Sequence, residues 1–248
     1  MIRSFFGIEK NPFSGDQVSL LEHQKQVYDI LKVHSQQGGL CLLMGEPGTG
    51  KTIIKEALKQ NADKRMVIVS IARTLHTYIN TINQLCEAFS IEHTGSYFKN
   101  ERQLITQAQN LHREGKMLVT IVDDSHLMDM NTLRRLRLLF EDFPKNHNVI
   151  LIGQPSLLAS MSLRINEDIK SRVTYSVMMR KLNPEQVQEF ILSQLDHVAL
   201  PHSIFTDDAL ALVVRSSDGI LRRVRNLCLS CLLESVRLRK RTVDLDTV

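Results

Sequence analysis

No apolar run in the 248-residue sequence approaches the ~18–20 residues that a helical bilayer crossing needs, so no membrane span is expected in this chain. Its opening, Met1-Ile2-Arg3-Ser4-Phe5-Phe6-Gly7, is too short for the apolar region of a signal peptide. Cysteine is scarce. Four scattered cysteines make no disulfide framework, and a reducing cytoplasm is the expected compartment. Excess charge is scarce too: 31 Lys and Arg stand against 27 Asp and Glu, a formal +4, which excludes only a strongly acidic protein. Repeats and low-complexity tracts are absent. A hydrophobic fraction of 43% and a charged fraction of 23% are near the globular average and argue against disorder, collagen and coiled coil. The length suffices for one large domain or two modest ones.

What the sequence does contain is an alternation. Residues 19–37 carry apolar positions at Leu20, Val27, Ile30 and Leu31, with His34, at roughly helical spacing, and Gly38-Gly39 ends the segment. Leu40 to Met44 is a short apolar run bounded by glycine, and similar runs follow at Met66 to Ile71, Met117 to Val122 and Val149 to Ile152. Such runs suit strands buried on both faces. Amphipathic stretches lie between them, near Leu75 to Phe89 and Glu101 to Arg113. Strands alternating with helices predict an α/β parallel sheet flanked by helices. After about Arg180 the pattern changes. Asn183-Pro184-Glu185 and Thr206-Asp207-Asp208 are helix starts, and a third helix opens from Gly219. The expected domains are therefore 1–180, α/β, and 181–248, a small all-helical lid.

Gly45-Glu46-Pro47-Gly48-Thr49-Gly50-Lys51-Thr52 matches the P-loop pattern G-x-x-x-x-G-K-[ST] in full. Its glycines let backbone N–H groups turn around a β-phosphate at the positive end of the following helix. Lys51 supplies charge to the β- and γ-phosphates, and Thr52 offers a hydroxyl to Mg²⁺. A metal carboxylate should end another buried strand, and Asp123 does so after Leu118 to Val122. Asp124 is placed to orient the attacking water, or else to cap a helix.

Together these motifs resemble the AAA+ ATPases, with their P-loop NTPase sheet and helical lid. More narrowly, they resemble the ATPase domain of the general secretion pathway protein A (ExeA) family. The resemblance rests on Phe5-Phe6-Gly7 with Asn11-Pro12-Phe13, Gly45 to Thr52, Ile121 to Asp124, Ile150 to Pro155, Gly219 to Arg222, and Leu227-Cys228. It implies ATP hydrolysis with Mg²⁺. It also implies a glutamate where Asp124 stands, so turnover is expected to be slow. Gln154 matches sensor 1, Arg222 the sensor 2 arginine, and Arg172 the arginine finger that completes a neighbour's site, with Arg164 a second candidate. The finger implies a homo-oligomer, a ring or a filament, assembled with ATP. Pro12 and Phe13 are expected either beside adenine or in the core.

Secretion members continue into a membrane helix and a wall-binding region, which this sequence does not contain. The short form is similar to transposition helper ATPases of the MuB, TniB and TnsC type, which polymerise on DNA and recruit a transposase. Charge runs fit that reading: Arg215, Arg222, Arg223, Arg225, Arg237, Arg239, Lys240 and Arg241 near the end, Arg134, Arg135 and Arg137 after Asp123-Asp124, and Arg73-Thr74 past the second strand. Such runs track phosphates, or are solvated helix faces. The expected partners are therefore double-stranded DNA and a transposase, the alternative being a secretion-apparatus protein. Cys228-x-x-Cys231 sits in an apolar helix and is expected to pack rather than bind zinc. His126 is expected at the surface.

Overall fold

A computed structural model describes residues 1–14, 20–72 and 77–248. In chain order the first elements are α1 (Ile2–Phe6), α2 (Glu22–Ser35), β1 (Gly39–Met44), α3 (Lys51–Gln60) and β2 (Met66–Ile71). Next come α4 (Tyr78–Ala88), α5 (Tyr97–Arg113), β3 (Met117–Val122), α6 (Met130–Glu141) and β4 (Asn148–Gly153). Then α7 (Pro155–Met161), α8 (Glu167–Lys170) and β5 (Val173–Met178) precede α9 (Pro184–Asp196), α10 (Asp207–Ser216) and α11 (Leu221–Leu238).

The described residues form two compact units, one of residues 22–46 and 51–179, the other of 1–21, 47–50 and 180–248. The last break between the units falls between Met179 and Arg180. By contacts, the first 21 residues and the P-loop tip cluster with the C-terminal helices instead.

The first unit is a five-stranded sheet in the order β2-β3-β4-β1-β5, parallel at every pairing. The apolar runs become β1 to β4; all of β4 is buried, as a strand covered on both faces should be. Leu42, Met44, Val122 and Leu151 join Ile82, Leu85 and Leu104 from α4 and α5 in one core. The face of α2 differs from the expected one: Gln24, Tyr28, Leu31 and Ser35 are buried, while Ile30 is exposed. His34 stacks on Tyr175 at 4.7 Å.

In the second unit, α9 begins with a capping box between Asn183 and Gln186, and Thr206 caps α10 by accepting from Ala209 N. Ile2, Ile8 and Phe13 share a core with α9, α10 and α11. Cys228 and Cys231 lie in that core as free, buried thiols that burial pushes up from the usual range. Among the described residues, no helix is long and apolar enough to cross a membrane.

Candidate nucleotide-binding site

Because the strands are parallel, their C-terminal ends reach one edge of the sheet, where open α/β sheets bind ligands. The register pairs Met44 with Gly153 and Val122 with Leu151, so Gly45, Asp123 and Gln154 emerge side by side. Gly45 N donates to Gly153 O at 3.2 Å, and Asp123 N to Ile71 O at 2.9 Å. Helix α3 starts at Lys51 with no acidic residue in its first turn, which leaves its positive end free to attract an anion. Lys51 Nζ donates to the loop carbonyls of Gly45 (2.7 Å) and Glu46 (2.9 Å), and Thr52 beside it is exposed.

Asp123 is met by a residue the sequence reading passed over. Lys55 Nζ donates to Asp123 Oδ2 at 2.7 Å, while Asp123 Oδ1 accepts from Asp124 N at 2.9 Å. Lys55 lies four residues beyond Lys51, on the same face of α3, and that spacing was the available signal. Its partner is 68 residues away in sequence, which spacing cannot supply. Asp124 takes a left-handed backbone, φ 52°, at the start of a short 3₁₀ turn, Ser125–Leu127, and its exposed side chain makes no capping bond. A non-glycine residue in this region carries strain of about 1–3 kcal/mol, a feature that clusters at functional sites. Gln154 Nε2 lies 2.7 Å from His126 Nε2, within hydrogen-bond distance. His126 is thus half-buried against Gln154 rather than a free surface residue.

The donor set fits Mg²⁺. A hydroxyl and one carboxylate are hard oxygen ligands, and Mg²⁺ is usually held by one or two carboxylates together with substrate phosphates. The carboxylate oxygen in question already holds a cation, the Lys55 ammonium.

Arg172 stands elsewhere. Val173 pairs with Leu40, so Arg172 lies at the opposite edge of the sheet, about 16 Å of strand from Gly45 at ~3.3 Å per residue. There it pairs with Glu141 at 3.3 Å, and Glu141 also holds Arg137 at 2.5 Å. Arg164 is exposed in a 3₁₀ turn, Arg164–Asn166.

In the second unit, Arg222 N donates to Gly48 O at 3.1 Å at the start of α11, and the Arg222 side chain is exposed. Gly48 has φ +85°, and a Cβ there would sit 2.7 Å from Arg222 Cβ and 2.9 Å from Ile220 Cγ2. Only glycine fits this approach. Pro12 is buried and Phe13 is a core residue, 3% exposed.

The basic runs fare unequally. Arg134 pairs with Asp168 at 2.7 Å, Arg135 lies 3.7 Å over the Tyr78 ring, and Arg137 serves Glu141. That run is spent on its own unit's packing rather than offered to phosphates. Arg73-Thr74 lies outside the described residues. Near the end of the chain, Arg237 pairs with Glu234, Lys240 with Asp244 and Arg223 with Asp218, while Arg225 packs over Phe190. Among the described residues no ion pair holds Arg215, Arg239 or Arg241, and all three are exposed.

Residues 33–161, just over half of the chain, match the family described as "AAA domain". The sequence is 28% identical over 239 residues to general secretion pathway protein A of Aeromonas hydrophila, covering 92% of this chain and 44% of that protein. The chain therefore spans less than half the length of that curated relative. Among solved structures, Cdc6p of Pyrobaculum aerophilum is similar with a TM-score of 0.76 at 15% identity, over 96% of this chain and 68% of that one. The Aeropyrum pernix ORC1 protein in complex with DNA is similar with a TM-score of 0.73 at 16% identity, over 95% and 66%. At those identities the likeness is one of fold.

Proposed function

The chain belongs to the AAA domain family and is an ATP hydrolase of the AAA+ class, and from that premise we propose that it is an ATP-assembled homo-oligomer that binds double-stranded DNA as a transposition helper, recruiting or activating a transposase. Lys51 and the loop from Gly45 to Thr52 bind the phosphates. Thr52 and Asp123 hold Mg²⁺, which when bound neutralises charge across the β- and γ-phosphates. Asp124 orients the attacking water, Gln154 contacts the γ-phosphate or that water, and Arg222 reads the phosphate state from α11.

The observation that carries the oligomer is the position of Arg172. A cation at the far edge of the sheet is out of reach of its own P-loop and suits a neighbour's, where such fingers are worth ~10³–10⁵ in rate. DNA binding is supported by Arg215, Arg239 and Arg241, exposed cations that no ion pair holds among the described residues, and by the fold shared with a protein solved in complex with DNA. Cytoplasmic location goes with this reading.

The second reading is a cytoplasmic ATPase that drives secretion-envelope assembly through a protein partner. It is favoured by the 28% identity to general secretion pathway protein A.

The test is a gel shift on duplex DNA with a non-hydrolysable ATP analogue, beside turnover measured against protein concentration. The DNA reading expects ATP-dependent binding whose log affinity falls with log salt at a slope of about −3 for three phosphate contacts. Absence of binding at low salt sinks it and favours the secretion reading, which expects DNA-independent turnover. Lys51→Ala abolishes nucleotide binding, and Arg172→Ala keeps binding but loses oligomer-dependent turnover. Full turnover by a monomer would overturn the role of Arg172.

A further inference from the structure

We propose that Lys55 is a resident cation at the metal position, competing with Mg²⁺ for Asp123 and standing in for it when nucleotide binds without metal. This rests on Asp123 being the metal carboxylate.

Three observations converge. Lys55 Nζ is 2.7 Å from Asp123 Oδ2, and the two side chains are only 11% and 14% exposed, so the pair is shielded from solvent. Asp123 Oδ1 accepts from Asp124 N, and among the described residues the cation on Oδ2 is the Lys55 ammonium. Lys51, Thr52 and Lys55 lie at i, i+1 and i+4 in α3, which brings the phosphate lysine and the second ammonium onto one face of the helix.

A carboxylate oxygen has a second lone pair, but a metal cation on Oδ2 would sit within a few ångströms of this ammonium, and the repulsion between the two favours displacement. A shielded carboxylate stripped of its partner is costly, which favours exchange of one cation for the other over prior release of the ammonium. The displaced ammonium remains tethered beside the phosphates. When metal is absent, Lys51 and Lys55 together present two positive charges from one helix face.

Two measurable consequences follow. Half-saturation by Mg²⁺ is shifted upward by the competition, and nucleotide binding in chelator is less impaired than in a site with one lysine. The size expected for one charge-assisted hydrogen bond is roughly tenfold in each.

The experiment measures binding of a fluorescent ADP to the 248-residue chain, first in EDTA and then across a MgCl₂ titration. It compares wild type with Lys55→Gln, Lys55→Arg and Asp123→Asn. Lys55→Gln is expected to lower half-saturating Mg²⁺ about tenfold and to weaken EDTA-state binding about tenfold, while Lys55→Arg, which keeps the charge, stays near wild type. If Lys55→Gln leaves both quantities unchanged while Asp123→Asn shifts the Mg²⁺ midpoint, Lys55 is only a structural partner and the proposal is overturned alone. If Asp123→Asn also leaves the midpoint unchanged, the metal assignment of Asp123 falls and the proposal with it. Should Lys55→Gln fail to fold, wild type decides: more than about a hundredfold loss of affinity in EDTA overturns the stand-in role, and a loss of about tenfold or less supports it.

Discussion

Acid should destabilise this protein well above the range in which its carboxylates titrate, and His147 is the main reason. The residue is 6% exposed at the foot of β4; its Nε2 lies 2.9 Å from Thr120 Oγ1, and its ring packs on Phe143 at 4.8 Å and Phe140 at 5.0 Å. Burial pushes its pKa down from 6.5 to about 3. The folded state therefore holds the ring neutral where the unfolded chain protonates it. The contribution is fully present above pH 6.5 and is lost as pH falls from there towards about 3. At ~1.4 kcal/mol per pH unit, the loss by pH 5 is about 2 kcal/mol. His23, whose pKa burial also lowers, adds a loss of the same sign. Urea unfolding of wild type and His147→Gln at pH 7.5, 6.5, 5.5 and 5.0 isolates the effect, because the His23 contribution cancels in the difference. The variant should start less stable, since Thr120 loses its partner, and the gap should narrow by about 2 kcal/mol by pH 5. A gap that stays constant across the series would refute the argument.

At Gly48, substitution by alanine places a Cβ under 3.0 Å from two neighbouring side chains at a φ of +85°. A left-handed cost of ~1–2 kcal/mol for a non-glycine residue should lower Tm by roughly 2–8 °C, with weaker nucleotide binding. A melt superimposable on wild type would contradict the close approach. Asp124→Glu lengthens the side chain by one methylene and should raise turnover several-fold at unchanged nucleotide affinity. It should also melt slightly lower, since aspartate tolerates the left-handed region better. Unchanged turnover would mean that side-chain length is not limiting.

Much of the sheet was legible because β1 to β4 are nearly continuous apolar runs. β5 was not: Val173 to Met178 alternates between half-buried and exposed residues, as an edge strand paired only with β1 does, and it carries no apolar run to flag it. The P-loop and Asp123 were legible because each is a local pattern. Lys55 was not, since its meaning comes from a residue on another strand. The arginines at 134, 135 and 137 show the same limit from the other side: a sequence counts charges but not their partners. Phe13 was placed between two readings, and only packing against α9, α10 and α11 assigns it to the core.

Glu141 grips two guanidiniums at once, and that sharing makes Arg172 easy to release. If Arg172 swings away, Glu141 keeps Arg137, one turn earlier on the same helix, so no carboxylate is stranded. The contact given up is an exposed ion pair of the kind worth ~0–1 kcal/mol. In the oligomer proposed above, Arg172 would thus be held on a loose tether rather than a latch. On that proposal the charge a neighbour presents would decide whether the arm extends, and assembly would need to overcome little at home.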